Sequence, residues 1–551
     1  MTSNSWKQML PELQPEFTTV DGERVYSPRT KALMKIIDDG MPSGGEPRHV
    51  AIIGAGMSGM VTASLLRAAG YQVTIFEANT RVGGRVKTIR EPFSAGQFGE
   101  AGAMRLVTSY QLVFKYIERF GLETFTFINH DVAGVEKIFV NGVMTDRNTY
   151  EANPDCLGFA TVGAERGRTA QDLWAGTLTE TVRSEGALHP VQEIIDPAWG
   201  GEPTLENWGR VVEEYGHLSV RQYLKQVAGY SEGAIEMVEV MLNLESRSNL
   251  SLIQQIVETL DHDPTSSYFG IAGGMDLLPE AFANELKGHG VDFHMNHMLT
   301  GIDRTGESDP LDGKVRLKFQ AGDAQPLNRP YGVGIPAPPR HTEFEADAVV
   351  LTIPFPMMRY LDVEPPFSQE KRKAIRELNY NAATKIFLEF DTRFWETNDK
   401  IFGGQTITDL PARFIYYPST DLGSNGPGVV ISSYVWATEA RGWDSLTEKQ
   451  RVEWSLNDLA RIHGEHIRDH FVVGTAQSWL LDDFSMGEAA MLEPGQIQEL
   501  EGTIPVPEGN VYFGGDATSF KIAWIEGAIE AGIRVALQIA GIYDPLIGDD
   551  A

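Results

Sequence analysis

Gly54, Gly56 and Gly59, followed by Glu77, are spaced to do one piece of chemistry. They would hold the pyrophosphate and ribose of a dinucleotide. Gly54 permits a tight turn, Gly56 lets a pyrophosphate approach the backbone, and Gly59 lets a helix pack closely on a strand. Glu77 lies where a carboxylate accepts hydrogen bonds from a ribose diol. Such a set works only in a strand–turn–helix–strand frame, and the flanking residues supply one. His49 to Ile53 reads as a buried strand, Ser58 to Ala69 as a helix stopped by Gly70, and Gln72 to Phe76 as a second strand. Free N–H groups and the dipole at that helix N-terminus favour an anion. The alternative is a glycine-rich turn with no ligand.

Directly behind the second strand, Arg81, Gly83, Gly84 and Arg85 form R-x-G-G-R. Adjacent glycines again let backbone come close to a ligand, and arginines meet phosphate. Nicotinamide enzymes do not usually carry this extension. It resembles the second signature of FAD-containing amine oxidases and their relatives, and the resemblance implies FAD rather than NAD.

The chain has 551 residues, beyond the size of a single core, so two or three domains are expected. Its net charge of −30 argues against nucleic acid or an anionic membrane as partner. The single cysteine, Cys156, precludes an intrachain disulfide and fits a reducing, cytoplasmic compartment. Cys156 lies in a loop-like setting far from any flavin motif, so non-covalent FAD is expected. The N-terminal stretch carries no signal-peptide pattern, and no window reaches the length of a transmembrane span.

The elements that must position these residues are interleaved along the chain. The expected fold class is α/β: a Rossmann-like FAD-binding domain of glutathione-reductase/amine-oxidase type, with a mixed-sheet substrate domain and a helical insert. Residues 47–88, 268–355 and 500–545 form the discontinuous FAD-binding domain in this division. Residues 5–46, 89–145 and 356–499 form the substrate-binding domain, and 146–267 the helical domain. Ser27 to Asp39, Thr169 to Glu185, Val211 to Val227, Glu448 to His463 and Ile525 to Ile539 read as helices. Ala348 to Ile353 reads as a buried parallel strand, Lys385 to Phe390 and Gly428 to Tyr434 as further strands, and 310–345 as a hairpin or surface loop. Gly514, Gly515 and Asp516 are expected to end a strand.

Four further segments carry chemistry. In GEAGAMRL, small residues surround Arg105, whose planar guanidinium matches a carboxylate. In AATKIFLEF, Lys385 starts an alternating strand, where a solvated strand-end charge is the ordinary reading. In GVVISSYVW, Tyr434 could simply pack in the core. In GGDATSFKIAWIEGAIEAG, Ala523 and Trp524 precede a helix whose N-terminus would stabilise negative charge growing on a cofactor. The ordered set GAGMSG, RVGGRV, GAMRL, AGGMD, TKIFL, TDLPARFIYYP and GGDATS…AWIEGAI spans about residues 30–545 and resembles FAD-dependent L-amino acid oxidases of the flavin amine oxidase superfamily.

That resemblance implies roles residue by residue. Arg105 and Tyr434 would bind the substrate α-carboxylate, the Ala523 carbonyl the amine, and Trp524 would wall the pocket. Lys385 would face flavin N5 through a water, and Asp516 would lie near the ribityl–phosphate chain. Further cofactor contacts are expected from Met57, Ser58, Ala78, Ala103, Met104, Met298, Gly515, Ile525 and Ala528, besides Gly54, Gly56, Gly59, Glu77, Arg81, Gly84, Arg85, Arg105 and Trp524. Two places depart from the family. Its histidine in the helical insert has no clear counterpart, with Gln254 or Glu258 in that region, and SMGEAA carries Ala489 where an apolar pocket residue is expected, with Glu488 beside it.

The implied reaction converts an L-amino acid, O₂ and water to a 2-oxo acid, ammonia and hydrogen peroxide, by hydride transfer from Cα to flavin N5. A 2-monooxygenase, or an amine or polyamine oxidase on the same fold, would use similar parts, and a non-catalytic flavoprotein is the third alternative. A homodimer or larger homo-oligomer is expected by analogy.

Overall fold

The computed structural model describes residues 17–20, 23–41, 48–131, 133–179, 205–261, 267–304, 313–322 and 340–542. The fold is α/β. Its first layer is a five-stranded parallel sheet built from β1 (His49–Ile53), β2 (Gln72–Glu77), β3 (Asp292–Met295), β4 (Ala348–Leu351) and β5 (Val511–Phe513). Their spatial order is β3-β2-β1-β4-β5, a doubly wound arrangement. The central strands are apolar and β-branched along their length because both faces are covered, one by helices and the other by the antiparallel strands that carry Phe319 and Phe344. In such sheets ligands bind outside the carboxyl ends of the strands, and Ile53, Thr352 and Gly515 stand there.

Two helices lie behind that edge, α1 (Met57–Ala68) and α2 (Ile525–Ile539). They cross closely because Gly532 faces α1, where a Cβ would sit 2.8 Å from the Ser58 carbonyl oxygen. Thr62 fastens the crossing, its hydroxyl donating to the Gly532 carbonyl at 3.1 Å. At Gly59, a Cβ would lie 2.2 Å from the Gly54 oxygen, so this glycine is dictated by helix–strand packing. Gly54 itself has φ +107°, a conformation open to glycine.

A second, seven-stranded mixed sheet carries the remaining chemistry. Ala383–Phe390 is buried at every position and lies between Gly428–Trp436 and Phe471–Ser478. Its antiparallel register sets Lys385 opposite Tyr434. Leu106–Val107, just past Arg105, pairs with Tyr268–Ile271 in a small three-stranded sheet.

The expected helix over Val211–Val227 is two helices, Leu205–Tyr215 and Val220–Gln226. The chain breaks at Gly216, which packs against Gln498, and restarts where Ser219 and Gln222 form a capping box. Other expected elements appear close to their boundaries. Ser27 caps Pro28–Asp39, Glu448–His463 is a helix, and 310–345 contains the antiparallel pair Val315–Ala321 and Arg340–Ala346. The expected helix Thr169–Glu185 is seen as Ala170–Thr179; its last residues, and 323–339 of the hairpin, lie outside the described residues. The strand before Asp516 stops at Phe513, and Asp516 opens a single 3₁₀ turn instead. No helix among the described residues is long and apolar enough to cross a membrane.

Candidate active site

One large cavity opens along the carboxyl edge of the parallel sheet, with about 2170 Å³ of atom-free space, part of it open to solvent. Its wall starts at the β1–α1 turn, Gly54 and Gly56 to Ser58, passes Glu77, Ala78, Arg81, Gly84 and Arg85, and reaches Ala103, Met104, Arg105 and Met298. It continues to Tyr434, Gly515, Asp516, Ala523, Trp524, Ile525 and Ala528. Segments more than 400 residues apart thus enclose one space. Two residues expected at the site stand behind this wall: Gly59, within the turn, and Lys385. Cys156 also lies off the wall, in a short turn between helical segments.

The wall fits a dinucleotide. Gly56 has an ordinary φ of −80°, and a Cβ built there would meet nothing within 4 Å. The fold alone does not demand glycine at 56; the close approach of a ligand would. Neither α1 nor α2 has a side chain capping its N-terminus, so the first-turn N–H groups of both are open to the cavity. Glu77 is buried, and burial raises its pKa. Its two carboxylate oxygens accept from the Ala55 and Asn79 N–H groups at 2.8 and 2.7 Å, which leaves each a lone pair for a diol. Ser58 spends its hydroxyl differently, accepting from the Gly515 N–H at 2.9 Å and tying the two ends of the wall together. Arg81 braces the glycine loop, donating to the Gly84 carbonyl at 2.6 Å.

The other end is organised by buried charge. Arg85 forms an ion pair with Asp516 and donates to the Glu488 carbonyl oxygen. Asp516 Oδ2 accepts from the Ala523 N–H at 3.2 Å. That bond holds Ala523 at φ +70°, a left-handed conformation uncommon for a residue with a Cβ. Lys385 is 2% exposed, so it is no solvated strand end. Its Nζ donates to the Glu100 and Gly102 carbonyls at 3.0 and 2.6 Å and sits 4.3 Å from the Tyr434 ring centroid. Burial lowers its pKa to about 7, and burial pushes the neighbouring Glu100 carboxyl up to about 7.

Arg105 is caged by Tyr268, Tyr416 and Phe127, with ring centroids 5.2, 5.6 and 6.0 Å from its guanidinium carbon. It donates to Asn129 Oδ1, and no carboxylate pairs with it among the described residues. The Tyr434 hydroxyl donates to Glu488 Oε1 at 3.0 Å. Gln254 faces away from the cavity, bonded to Met491 and Leu492, whereas Glu258 is on the wall, paired with Arg247. Arg247, Trp479 and Thr352 also line the wall and had no motif to mark them, and Trp436 joins them from the end of the GVVISSYVW segment.

The profile of flavin containing amine oxidoreductases matches residues 57–540 of this chain. That of pyridine nucleotide-disulphide oxidoreductases matches residues 16–95. YobN of Bacillus subtilis strain 168 is 39% identical over 509 residues, covering 92% of this chain and 98% of that protein. An L-amino-acid oxidase of Siganus canaliculatus is 33% identical, covering 92% and 88%. An L-glutamate oxidase precursor of Streptomyces viridosporus is 31% identical, covering 93% and 89%. Among solved structures, the cyclohexylamine oxidase of Brevibacterium oxydans superposes with a TM-score of 0.66 at 16% identity, over 90% of this chain and 99% of that one.

Proposed function

The chain belongs to the flavin-containing amine oxidoreductases and is an FAD-dependent oxidoreductase, and on that premise we propose that it oxidatively deaminates L-amino acids. The products would be a 2-oxo acid, ammonia and hydrogen peroxide. Bound FAD would supply the chemistry, accepting the hydride of the Cα–H bond and passing the electrons to O₂.

The observation that carries this reading is Arg105, a cation on the cavity wall with an aromatic cage and no carboxylate of the protein's own among the described residues. A guanidinium so placed is matched by a planar carboxylate from a substrate. Simple amines lack that group. Tyr434 has one hydroxyl proton, committed to Glu488, so it would share the substrate carboxylate only by exchanging that partner. The Ala523 carbonyl, set by its left-handed backbone, would accept from the amine, and Trp524 would wall the substrate. Holding both ends of the α-carbon leaves one Cα–H in a reactive position, which is how positioning contributes to rate and selects the L-isomer. Lys385 lies beneath Gly102, behind the wall, and would act on the site through a water or through Tyr434.

Gly54, Gly56, Glu77 and Arg81 would hold the nucleotide end of FAD, and Asp516 and the Ile525 helix N-terminus the flavin end. In the same proposal, 47–88, 268–355 and 500–545 are the FAD domain, 5–46, 89–145 and 356–499 the substrate domain, and 146–267 the helical domain. The deciding experiment is a peroxide-coupled screen of the twenty L-amino acids, several D-isomers, tyramine and spermine, with product identification. Turnover of L-amino acids to 2-oxo acids supports the proposal. Turnover confined to amines, or an amide product, overturns it.

A further inference from the structure

Around Tyr434 the cavity wall carries an unusual set of charges, and most of them cancel. Arg247 is paired with Glu258, and Arg85 with Asp516. Lys385 lies within electrostatic reach of both Glu488 and Glu100. Two groups of this part of the wall form no ion pair among the described residues: Arg105, which has no carboxylate, and Glu488. One oxygen of Glu488, Oε1, accepts from Tyr434; the other, Oε2, is buried and has no hydrogen-bond partner among the described residues. A buried carboxylate oxygen without a partner is costly, so it marks a place where a donor is missing. A cation outside any ion pair and a carboxylate oxygen with no donor, on a single wall, are the complement of an amino-acid zwitterion.

We propose that Glu488 is the ammonium-binding residue of the site, its Oε2 accepting an N–H from the substrate α-ammonium while Arg105 holds the α-carboxylate. This rests on the L-amino acid reading above and extends it to the second charge of the substrate. An ammonium carries three donors; Glu488 takes one and the Ala523 carbonyl a second. The titratable and charged groups facing Glu488 are the neutral Tyr434 on the strand opposite Lys385, Lys385 itself, Arg247 from the helical segment, and Arg85 from the glycine loop. Arg247 and Arg85 are engaged elsewhere. Lys385 donates to two carbonyls, so among the described residues no hydrogen bond of these groups reaches Oε2. The position also gives a role to the glutamate of SMGEAA, beside the expected apolar pocket position at Ala489.

The test uses the FAD-loaded enzyme and two ligands that cannot be oxidised. α-Methyl-L-phenylalanine keeps both charges but has no Cα–H. 2-Methyl-3-phenylpropanoate has the same skeleton without the amine. Calorimetry should show wild type binding the zwitterion ~10–100-fold more tightly than the carboxylate, the range a charge-assisted hydrogen bond supplies. Glu488→Gln should erase that preference by weakening the zwitterion alone, with flavin content unchanged. Glu488→Asp, which keeps the charge, should restore part of it. A preference that survives Glu488→Gln, or an equal loss of both ligands, overturns the assignment. If wild type binds neither ligand and Arg105→Met changes nothing, the carboxylate anchor itself has failed, and the assignment with it.

Discussion

Arg105→Met separates a residue kept for its ligand from one kept for the fold. The substitution leaves the apolar stem among Tyr268, Tyr416 and Phe127 and removes the guanidinium. A substrate carboxylate would then face a wall whose nearby arginines, Arg247 and Arg85, are already paired. Truncating one partner of a buried charge pair costs ~2–5 kcal/mol, so kcat/KM for L-amino acids should fall by a factor between ~30 and several thousand. Stability should respond differently. No carboxylate among the described residues is orphaned by the change; the loss is the bond to Asn129 Oδ1, worth about 1 kcal/mol, set against the relief of a buried, unmatched charge. The melting temperature should therefore stay within a few degrees of wild type, with FAD retained. Arg85→Met is the contrast. It leaves Asp516, 7% exposed, without its cation, and breaking a buried pair costs ~3–5 kcal/mol. Steady-state kinetics with several L-amino acids, beside thermal unfolding and flavin absorbance for both variants, gives the answer. Near-normal kcat/KM in Arg105→Met, or an equal loss on tyramine, would refute the anchor.

Lys385→Met should flatten the rise of stability with pH. Its folded pKa of about 7 lies below the ordinary 10.5, so between those values the unfolded chain binds a proton that the folded chain does not; stability climbs with pH there, and the penalty is fully present below pH 7. The variant should lose ~1.4 kcal/mol of that climb per pH unit, measured by urea unfolding at pH 7 and 9; an unchanged slope would show that the lysine is not buried as described. Gly56→Ala should fold but bind FAD weakly, because its Cβ points into open cavity, whereas Gly59→Ala should fail to accumulate as folded protein, because its Cβ lands 2.2 Å from a backbone oxygen. Flavin-to-protein ratio and circular dichroism distinguish the two, and the opposite pattern would sink the division of labour between these glycines. Ala523→Gly should raise stability by ~0.5–1 kcal/mol by relieving a left-handed alanine, less what glycine adds to the entropy of the unfolded chain; a loss of more than ~1 kcal/mol would mean that the Cβ packs usefully.

What was legible in the sequence is what local pattern encodes. The β1–α1–β2 unit announces itself because glycine spacing, apolar runs and a terminal acid all lie within about thirty residues, where period and turn chemistry act. The Ile525–Ile539 helix is equally plain from its apolar face. Lys385 and Tyr434 could each be nominated, but their relation is a register: 49 residues separate them in sequence, and one antiparallel ladder makes them neighbours. A shift of one residue would have sent one of them to the other face. Arg247 had no signal at all, since it sits in one 3₁₀ turn with no motif and matters only through Glu258 and the cavity. Glu488 was visible only as an anomaly in a pocket expected to be apolar. Its meaning depends on which donors the fold commits around it, and Arg85, 403 residues away, spends its own on Asp516 and the Glu488 carbonyl, leaving Oε2 without a partner. Commitment of buried donors is a property of the assembled wall, so the oxygen left over could be identified only after its neighbours had been placed.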